Sequence, residues 1–477
     1  MTANQELIQA IAKEVLARIN ERLGTPSPSG ANGAGDDGVF ETVDQAVRAA
    51  VFAQERVASM GLEERSRMNA IIRSICNDNA DELARIELAE TKIGRADHKA
   101  AKLRNIRLVL GAEAMRTEAS SDSSGLCLVE YAPWGVIGMV LPATHSVPTM
   151  VSNAVNIIAA GNAAIFNPHP AAAKVAAYAL KLFNREIDRE VGIRNVITMT
   201  SESTIENAEA IFQHPGVALL CVTGGPGVVR AAAKSGKRVI AGGPGNPPVV
   251  VDETADLDNA AKCIIEGAAF DNNLLCIGEK EVFVVSSVFD AFMAAMRRAG
   301  AYQLDSAAIE RLTKAAFTFD ADGKGCIRAH VRKELIGRDP EVLAQAAGVR
   351  IPAGTEMLFG ETKADHAFVV EEQMMPFIPI VRVNCADAAI RAALEAEHGY
   401  RHTAIIHSKN VAVVTKMARV MNTTLFVQNA ASTAALGVNG PGYFSHTVAT
   451  PTGEGVTTPL TFTRERQITI GGALRIV

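Results

Sequence analysis

The chain has 477 residues, 48% of them hydrophobic and 5% aromatic, with a net charge of −5 from 47 basic and 52 acidic side chains. That length accommodates two or three cores, and the lack of a basic excess excludes a surface built for nucleic acid or an anionic membrane. The seven cysteines (Cys76, Cys127, Cys221, Cys263, Cys276, Cys326 and Cys385) are scattered, with no CxxC pair and no four-ligand metal cluster. No disulfide framework is expected, and free thiols imply a reducing compartment. The first 24 residues lack an apolar signal core and no run of about 18 apolar residues occurs, so a soluble, cytoplasmic protein without a membrane span is expected.

The first expected element is an amphipathic helix over residues 1–24. Leu7, Ile11, Val15 and Ile19 recur at helical spacing, Thr2 and Gln5 fit a capping box, and Gly24 suits the C-terminal end. Residues 25–38, TPSPSGANGAGDDG, have almost nothing to bury and read as a flexible linker. A helix severed from the core by such a linker either folds back, joins a second copy, or docks into a partner's groove.

From Val39 the text is globular. Residues 39–120 carry helical stripes such as Val43, Ala46, Val47 and Val51, and Ile71, Ile72 and Ile75. From Leu126, extended chain broken by Pro133 and Gly135 gives way to alternation: helix 147–160, strand AAIF, helix 171–185, strand 195–200 and strand 217–224. Two short strands then flank the Gly/Pro turn of KRVIAGGPGNPPVVVD. This rhythm predicts an α/β fold with a parallel, dinucleotide-binding type of sheet. The tail TFTRERQITI alternates like an edge strand that needs a partner.

Chemistry-bearing motifs are weak one by one. The GxGxxG text Gly33-Ala-Gly35-Asp-Asp-Gly38 lies in the linker and follows no strand text, so it is no fingerprint, but Val222-Thr223-Gly224-Gly225 ends a strand and opens a helix, where free N–H groups can face a pyrophosphate. Cys276 lies in FDNNLLCIGE, before the strand text EVFVV; on chemistry alone it is not preferred over Cys221 or Cys263, and a buried structural role is the common fate of a free thiol. DADGKG (320–325) matches a calcium loop at Asp320, Asp322 and Gly325 but has Lys324 at position 5 and Val331 instead of Glu at position 12, so calcium is not expected, and no GxSxG elbow occurs.

Several segments in a fixed order resemble the aldehyde dehydrogenase superfamily, and within it the CoA-acylating acetaldehyde/propionaldehyde dehydrogenases of bacterial microcompartments. They are APWGV (132–136), AAGNAAIFNPHPAA (159–172), VTGG (222–225), AGGPGNPPVVVDETADL (241–257), FDNNLLCIGEK (270–280), MMPFIPIVRV (374–383), HTAIIHS (402–408) and TPTGEGVT (450–457). The resemblance implies a Rossmann-type cofactor domain (39–125 and 142–246), an α/β catalytic domain (247–458) and a small oligomerisation element (126–141 and 459–477). It implies that Cys276 is the nucleophile and that Thr223, Gly224 and Gly225 lie beside the pyrophosphate of NAD. By the same likeness, Glu372 holds the nicotinamide ribose, and Pro168, His169 and Pro170 lie by the adenosine half, near the way in for coenzyme A. Homodimers or homotetramers are implied, and residues 1–24 resemble the peptides that bind cargo enzymes to a microcompartment shell protein.

Three departures from the wider family sharpen the expectation. Hydrolytic relatives carry a Glu as base for water where this chain has Ala241, so a thioester on Cys276 is expected to survive for a thiol acceptor. Asn167 replaces the Lys that meets the adenosine ribose. His145, in Pro142-Ala-Thr-His145, replaces the Asn that helps the Cys backbone N–H hold the oxyanion. The expected reaction is NAD-dependent, CoA-acylating oxidation of a short aldehyde, acetaldehyde or propionaldehyde, through a Cys276 thioester inside a microcompartment. The alternatives are a hydrolytic aldehyde dehydrogenase and a nicotinamide-independent Cys hydrolase or acyltransferase with His402 as base.

Overall fold

The computed structural model describes residues 36–321 and 327–472. The expected helix 1–24, linker residues 25–35, Cys326, most of the DADGKG tract and residues 473–477 lie outside them. Thr42 closes a capping box with Gln45 and opens the helix Val43–Ser59, which buries Val43, Ala46 and Val47. Helices Leu62–Asp78, Ala80–Thr91 and Ala96–Arg104 follow, so residues 39–120 are helical where their apolar spacing predicts it.

A six-stranded parallel sheet carries the first half of the chain. Its order is Val39–Phe40, Ile197–Thr200, Ala163–Asn167, Val136–Val140, Val217–Thr223, Arg238–Gly242. After the edge strand Val39–Phe40, the chain re-enters the sheet at Val136–Val140, runs outward on one side through Ala163–Asn167 and Ile197–Thr200, and returns on the other at Val217–Thr223. Its topological switch point therefore lies between those two strands, where α/β sheets open a crevice at their carboxyl ends. The helix Ser146–Ala159 leaves that crevice with every residue buried, its polar Ser146, Thr149, Ser152, Asn153 and Asn156 included. On the same face and packed beside it, Ala173–Val191 is one-sided and buries Val175, Ala179, Leu180, Phe183 and Ile187, while Val43–Ser59 covers the other face.

A seven-stranded parallel sheet carries the second half, in the order Tyr302–Gln303, Leu358–Thr362, Phe377–Val383, Glu281–Val285, Pro248–Val251, Thr403–His407, Leu425–Gln428. Pro248–Val251 and Glu281–Val285 are buried at every position, and apart from Glu281 they read as continuous apolar runs, as parallel strands covered on both faces do.

A three-stranded antiparallel ribbon joins Glu118–Asp122, Gly125–Pro133 and Thr463–Gly471. This corrects the excursion expected over 126–141: the ribbon occupies 118–133, and Val136–Val140 is an inner strand of the first sheet. The switch is made at Gly135, whose φ of +130° suits glycine. Asn162 grips the turn: its side-chain oxygen accepts the Trp134 and Gly135 N–H groups at 2.7 and 2.9 Å, and its amide donates to Phe462 at 2.8 Å. The tail strand forms the ribbon's outer edge, with only Thr463 buried among its nine residues.

Candidate active site

Cys276 follows a backbone feature that composition does not reveal. After the helix Leu257–Ala269, three consecutive residues are left-handed: Asp271 (φ 52°), Asn272 (56°) and Asn273 (65°). This region costs most side chains about 1–2 kcal/mol each and is best tolerated by Asn and Asp, which accounts for the DNN text. The turn is bolted in place. The Asn273 amide donates to the Ala268 and Glu279 carbonyls, both at 2.9 Å. The fully buried Lys280 ammonium donates to the carbonyls of Asn273 (2.7 Å) and Leu275 (3.2 Å) and to the Asn273 side-chain oxygen. Strain held by surrounding bonds is the usual mark of a reactive turn.

Cys276 is half-buried at the end of this turn, against the core of the first sheet. Its thiol is pushed up to about 12, first by burial and then by the Glu372 carboxylate, against the pull of Lys280 and Lys102. Cys221 is fully buried and its thiol is raised still further by burial. What separates Cys276 from the other described thiols is therefore its strained turn and the charges around it.

Glu372 faces this centre. Its loop is tied down by Gln373, which donates to Lys280 and Phe377 carbonyls at 3.3 Å and accepts the Met375 N–H at 2.9 Å. Burial raises the Glu372 carboxyl to about 7, with Lys280 and the Gly245 N–H pulling the other way. Gly245 packs so closely that a Cβ there would lie 2.5 Å from the Cys276 carbonyl oxygen and 3.1 Å from the His402 ring. His402 is buried, its backbone N–H donates to Glu397 at 2.8 Å, and its Nε2 has no partner. Burial, with Lys280, lowers its pKa to about 4, so the ring is neutral.

The first sheet supplies the opposite wall. His145 leaves the switch-point strand at the start of the helix Ser146–Ala159, buried, with Nδ1 unpartnered. Its ring tilts against that of His446, centroids 5.3 Å apart. Burial first, then Lys102, His446 and Lys99, hold its pKa well below the ordinary imidazole value. His145 is thus neutral and carries a single ring N–H. No hydrogen bond joins Cys276 to His145 among the described residues; both face the Lys102 ammonium. Sequence reasoning did not single out His446 or Lys102.

The cofactor crevice fits a dinucleotide. Thr223 and Gly224 end the strand Val217–Thr223, and Gly225 is the N-cap of the helix Pro226–Ala233, so free N–H groups meet open space: no atom lies within 4 Å of a Cβ built at Gly225 or Gly227. Thr223 touches Thr447 (Oγ1 to Oγ1 3.2 Å), which ties this turn to the His446 loop. At the end of the strand Ala163–Asn167, two strands away, the Asn167 amide donates to Thr204 at 3.3 Å, while its buried oxygen, like the Ser203 hydroxyl, has no partner. Two orphaned polar atoms at a strand's carboxyl end suit the hydroxyls of a ribose. Pro168 is buried, whereas His169 and Pro170 are exposed on the rim, where His169 caps the short turn Pro170–Ala172. Ala241 is buried beside Val222, and its N–H donates to Thr452 at 3.0 Å; its methyl places no carboxylate there.

Residues 32–308 match the aldehyde dehydrogenase family. The chain is 41% identical over 477 residues to the acetaldehyde dehydrogenase (acetylating) EutE of Salmonella typhimurium, covering 99% of this chain and 100% of that protein. The structure of Rhodopseudomonas palustris propionaldehyde dehydrogenase with bound CoA and an acylated cysteine superposes with a TM-score of 0.88 at 39% identity, covering 92% of this chain and 100% of that one. A propionaldehyde dehydrogenase from the Clostridium phytofermentans fucose utilisation bacterial microcompartment does so with a TM-score of 0.88 at 38% identity, over 92% and 100%.

Proposed function

Because the chain belongs to the aldehyde dehydrogenase family, we propose that it oxidises a short aliphatic aldehyde, acetaldehyde or propionaldehyde, to the acyl-CoA with NAD as hydride acceptor. Ala241 carries this reading. The position from which hydrolytic relatives activate water holds a buried methyl group, so the acyl group on Cys276 persists until a thiol arrives. The names and bound ligands of the related acylating enzymes support it.

Cys276, as thiolate, attacks the aldehyde carbon, and its turn, held by Asn273 and Lys280, fixes the direction of attack. The Cys276 N–H and the neutral His145 ring share the developing oxyanion. Glu372 accepts the nicotinamide ribose hydroxyls, and the Thr223-Gly224-Gly225 turn takes the pyrophosphate at a helix N-terminus. Nicotinamide, when bound, supplies the hydride acceptor. CoA approaches past Pro168, His169 and Pro170, and the neutral His402, with its free Nε2, takes the incoming thiol's proton.

The protein works as a homodimer or homotetramer joined through the ribbon, whose tail edge strand is exposed. It resides inside a bacterial microcompartment, with residues 1–24 binding a shell protein by helix-in-groove recognition. The apolar stripe of that segment and the microcompartment origin of a related structure support this. The test of the chemistry is absorbance at 340 nm with aldehyde, NAD and CoA, beside the free-acid yield. NADH formation that persists without CoA, with acid as product, would replace the acylating reading by the hydrolytic one. Fusing residues 1–24 to a fluorescent protein tests targeting; diffuse fluorescence in cells with assembled shells refutes it.

A further inference from the structure

Four charged side chains are packed out of water behind the Cys276 turn. Glu87 comes from the helix Ala80–Thr91, Lys99 and Lys102 from Ala96–Arg104, and Asp271 from the turn itself; each is at most 1% exposed. Lys99 and Lys102 are one turn apart and point the same way. Lys102 contacts the Asp271 carboxylate, and Lys99 lies 3.8 Å from it and 3.3 Å from Glu87. A buried quartet of this kind is an expensive way to hold a fold together, since apolar side chains of similar size serve as well. Its worth must be sought in what it touches.

It touches both walls of the active site. Asp271 opens the left-handed turn, accepts the Arg95 N–H at 2.7 Å, and donates its own N–H to His98 at 2.8 Å. His98 in turn stacks on Phe270, centroids 4.7 Å apart. Gly94, with φ +82°, leaves room for the carboxylate: a Cβ there would lie 2.2 Å from Asp271 Oδ1. From the other side, Asn272 is held by Gly337 (3.0 Å) and Asp339 (2.8 Å). Lys99 also donates to the carbonyl of Thr144, the residue before His145, at 3.4 Å.

We propose that the Glu87–Lys99–Lys102–Asp271 quartet is a charge clamp that positions the nucleophile turn against the His145 wall and sets the electrostatic field at the Cys276 sulphur, with Lys102 as the positioning residue. This rests on the reading of Cys276 as the nucleophile. The charged groups facing Cys276 are Glu372, from the loop before Phe377–Val383, Lys280, from the start of its own following strand, and Lys102; the nearby imidazoles of His145, His446 and His402 are neutral. Lys102 favours the thiolate, and the Asp271 carboxylate in contact with it carries the opposite charge. Removing one or the other therefore moves thiolate population in opposite directions, which loss of structure alone does not do.

The experiment is the rate of Cys276 alkylation by iodoacetamide in the full-length protein at pH 8, mapped by peptide mass among the seven cysteines. Well below the thiol's pKa the thiolate fraction changes tenfold per pKa unit. Lys102 acts on the thiol more weakly than Glu372 or Lys280, so Lys102→Met is expected to slow alkylation a few-fold, and Asp271→Asn to speed it a few-fold. Lys102→Arg is expected to stay near the parent, and the neutral pair Lys102→Met/Asp271→Asn to return towards it. Single variants that shift together or not at all overturn the proposal, as does a neutral pair as fast as Asp271→Asn, which reports a loosened turn. Should Lys102→Met not fold, the last comparison still decides. Failure of the nucleophile reading is separate: it shows as CoA-dependent NADH formation retained by Cys276→Ala.

Discussion

Gly245→Ala adds one carbon at the most crowded point of the site. Gly245 has no positive φ, so alanine meets no backbone obstacle there. The obstacle is contact: the new Cβ would sit 2.5 Å from the Cys276 carbonyl oxygen, and 3.1 and 3.3 Å from two carbons of the His402 ring. Against the 3.4 Å at which such contact becomes ordinary, the overlap with the carbonyl is about 0.9 Å (3.4 minus 2.5). The strained turn, fixed by Asn273 and Lys280, resists yielding, so the displacement is shared by the nucleophile and the imidazole. Overpacking of this kind costs about 1–3 kcal/mol of stability, and a shift approaching 1 Å at reacting atoms costs about 10²-fold in rate. Calorimetry is expected to show a Tm lower by a few degrees. NADH formation with saturating aldehyde, NAD and CoA is expected to show kcat down about a hundredfold. A variant with Tm unchanged and kcat within about twofold of the parent would refute the packing argument.

Other outcomes follow from the same geometry. Cys276→Ser is expected to abolish acyl transfer and leave the melting transition in place; residual CoA-dependent turnover would refute the nucleophile. His145→Ala should lower kcat about 10²–10³-fold, the loss typical of one oxyanion donor, and His145→Asn should recover much of it; an unchanged kcat removes His145 from that role. Glu372 raises the Cys276 pKa, so Glu372→Gln is expected to speed alkylation of Cys276 at pH 8 while raising the KM for NAD; slower alkylation contradicts the electrostatics. Glu279 accepts the Ser432 N–H at 2.8 Å and its hydroxyl at 2.9 Å, and burial raises its carboxyl from 4.5 to about 7. The fold therefore binds a proton that the unfolded chain has released. This contribution to stability is complete below about pH 4.5 and lost as pH rises through about 7. Glu279→Gln should flatten Tm against pH in that window, and an unaltered slope would refute it.

Much of this protein is legible in its residues. The alternation after Leu126 gives the first parallel sheet, and the runs PVVV and VFVV give two inner strands of the second, because strands buried on both faces are mostly apolar. The ordered segments single out Cys276, Glu372 and the Thr223-Gly224-Gly225 turn as the candidate site, and the proposed fate of the thioester rests on Ala241. Gly135 was legible as a break in extended chain, but not as the boundary between ribbon and sheet. PWGVIGMV is apolar on both sides of it, and only the grip of Asn162, 27 residues away, separates ribbon from sheet. Nor was the quartet behind Cys276 legible. Lys99 and Lys102, in HKAAKL, read as the solvated face of a short helix, since lysine is rarely buried. The sole local signal was their spacing of three, opposite no acid nearby in sequence. Their partner Asp271 lies 169 residues beyond Lys102. Sequence, then, determined which residue types stand at the reacting centre, because periodicity and motif order are local properties. Tertiary structure alone decided their protonation and mutual placement, because burial and Coulomb interactions depend on distances in space between residues far apart along the chain.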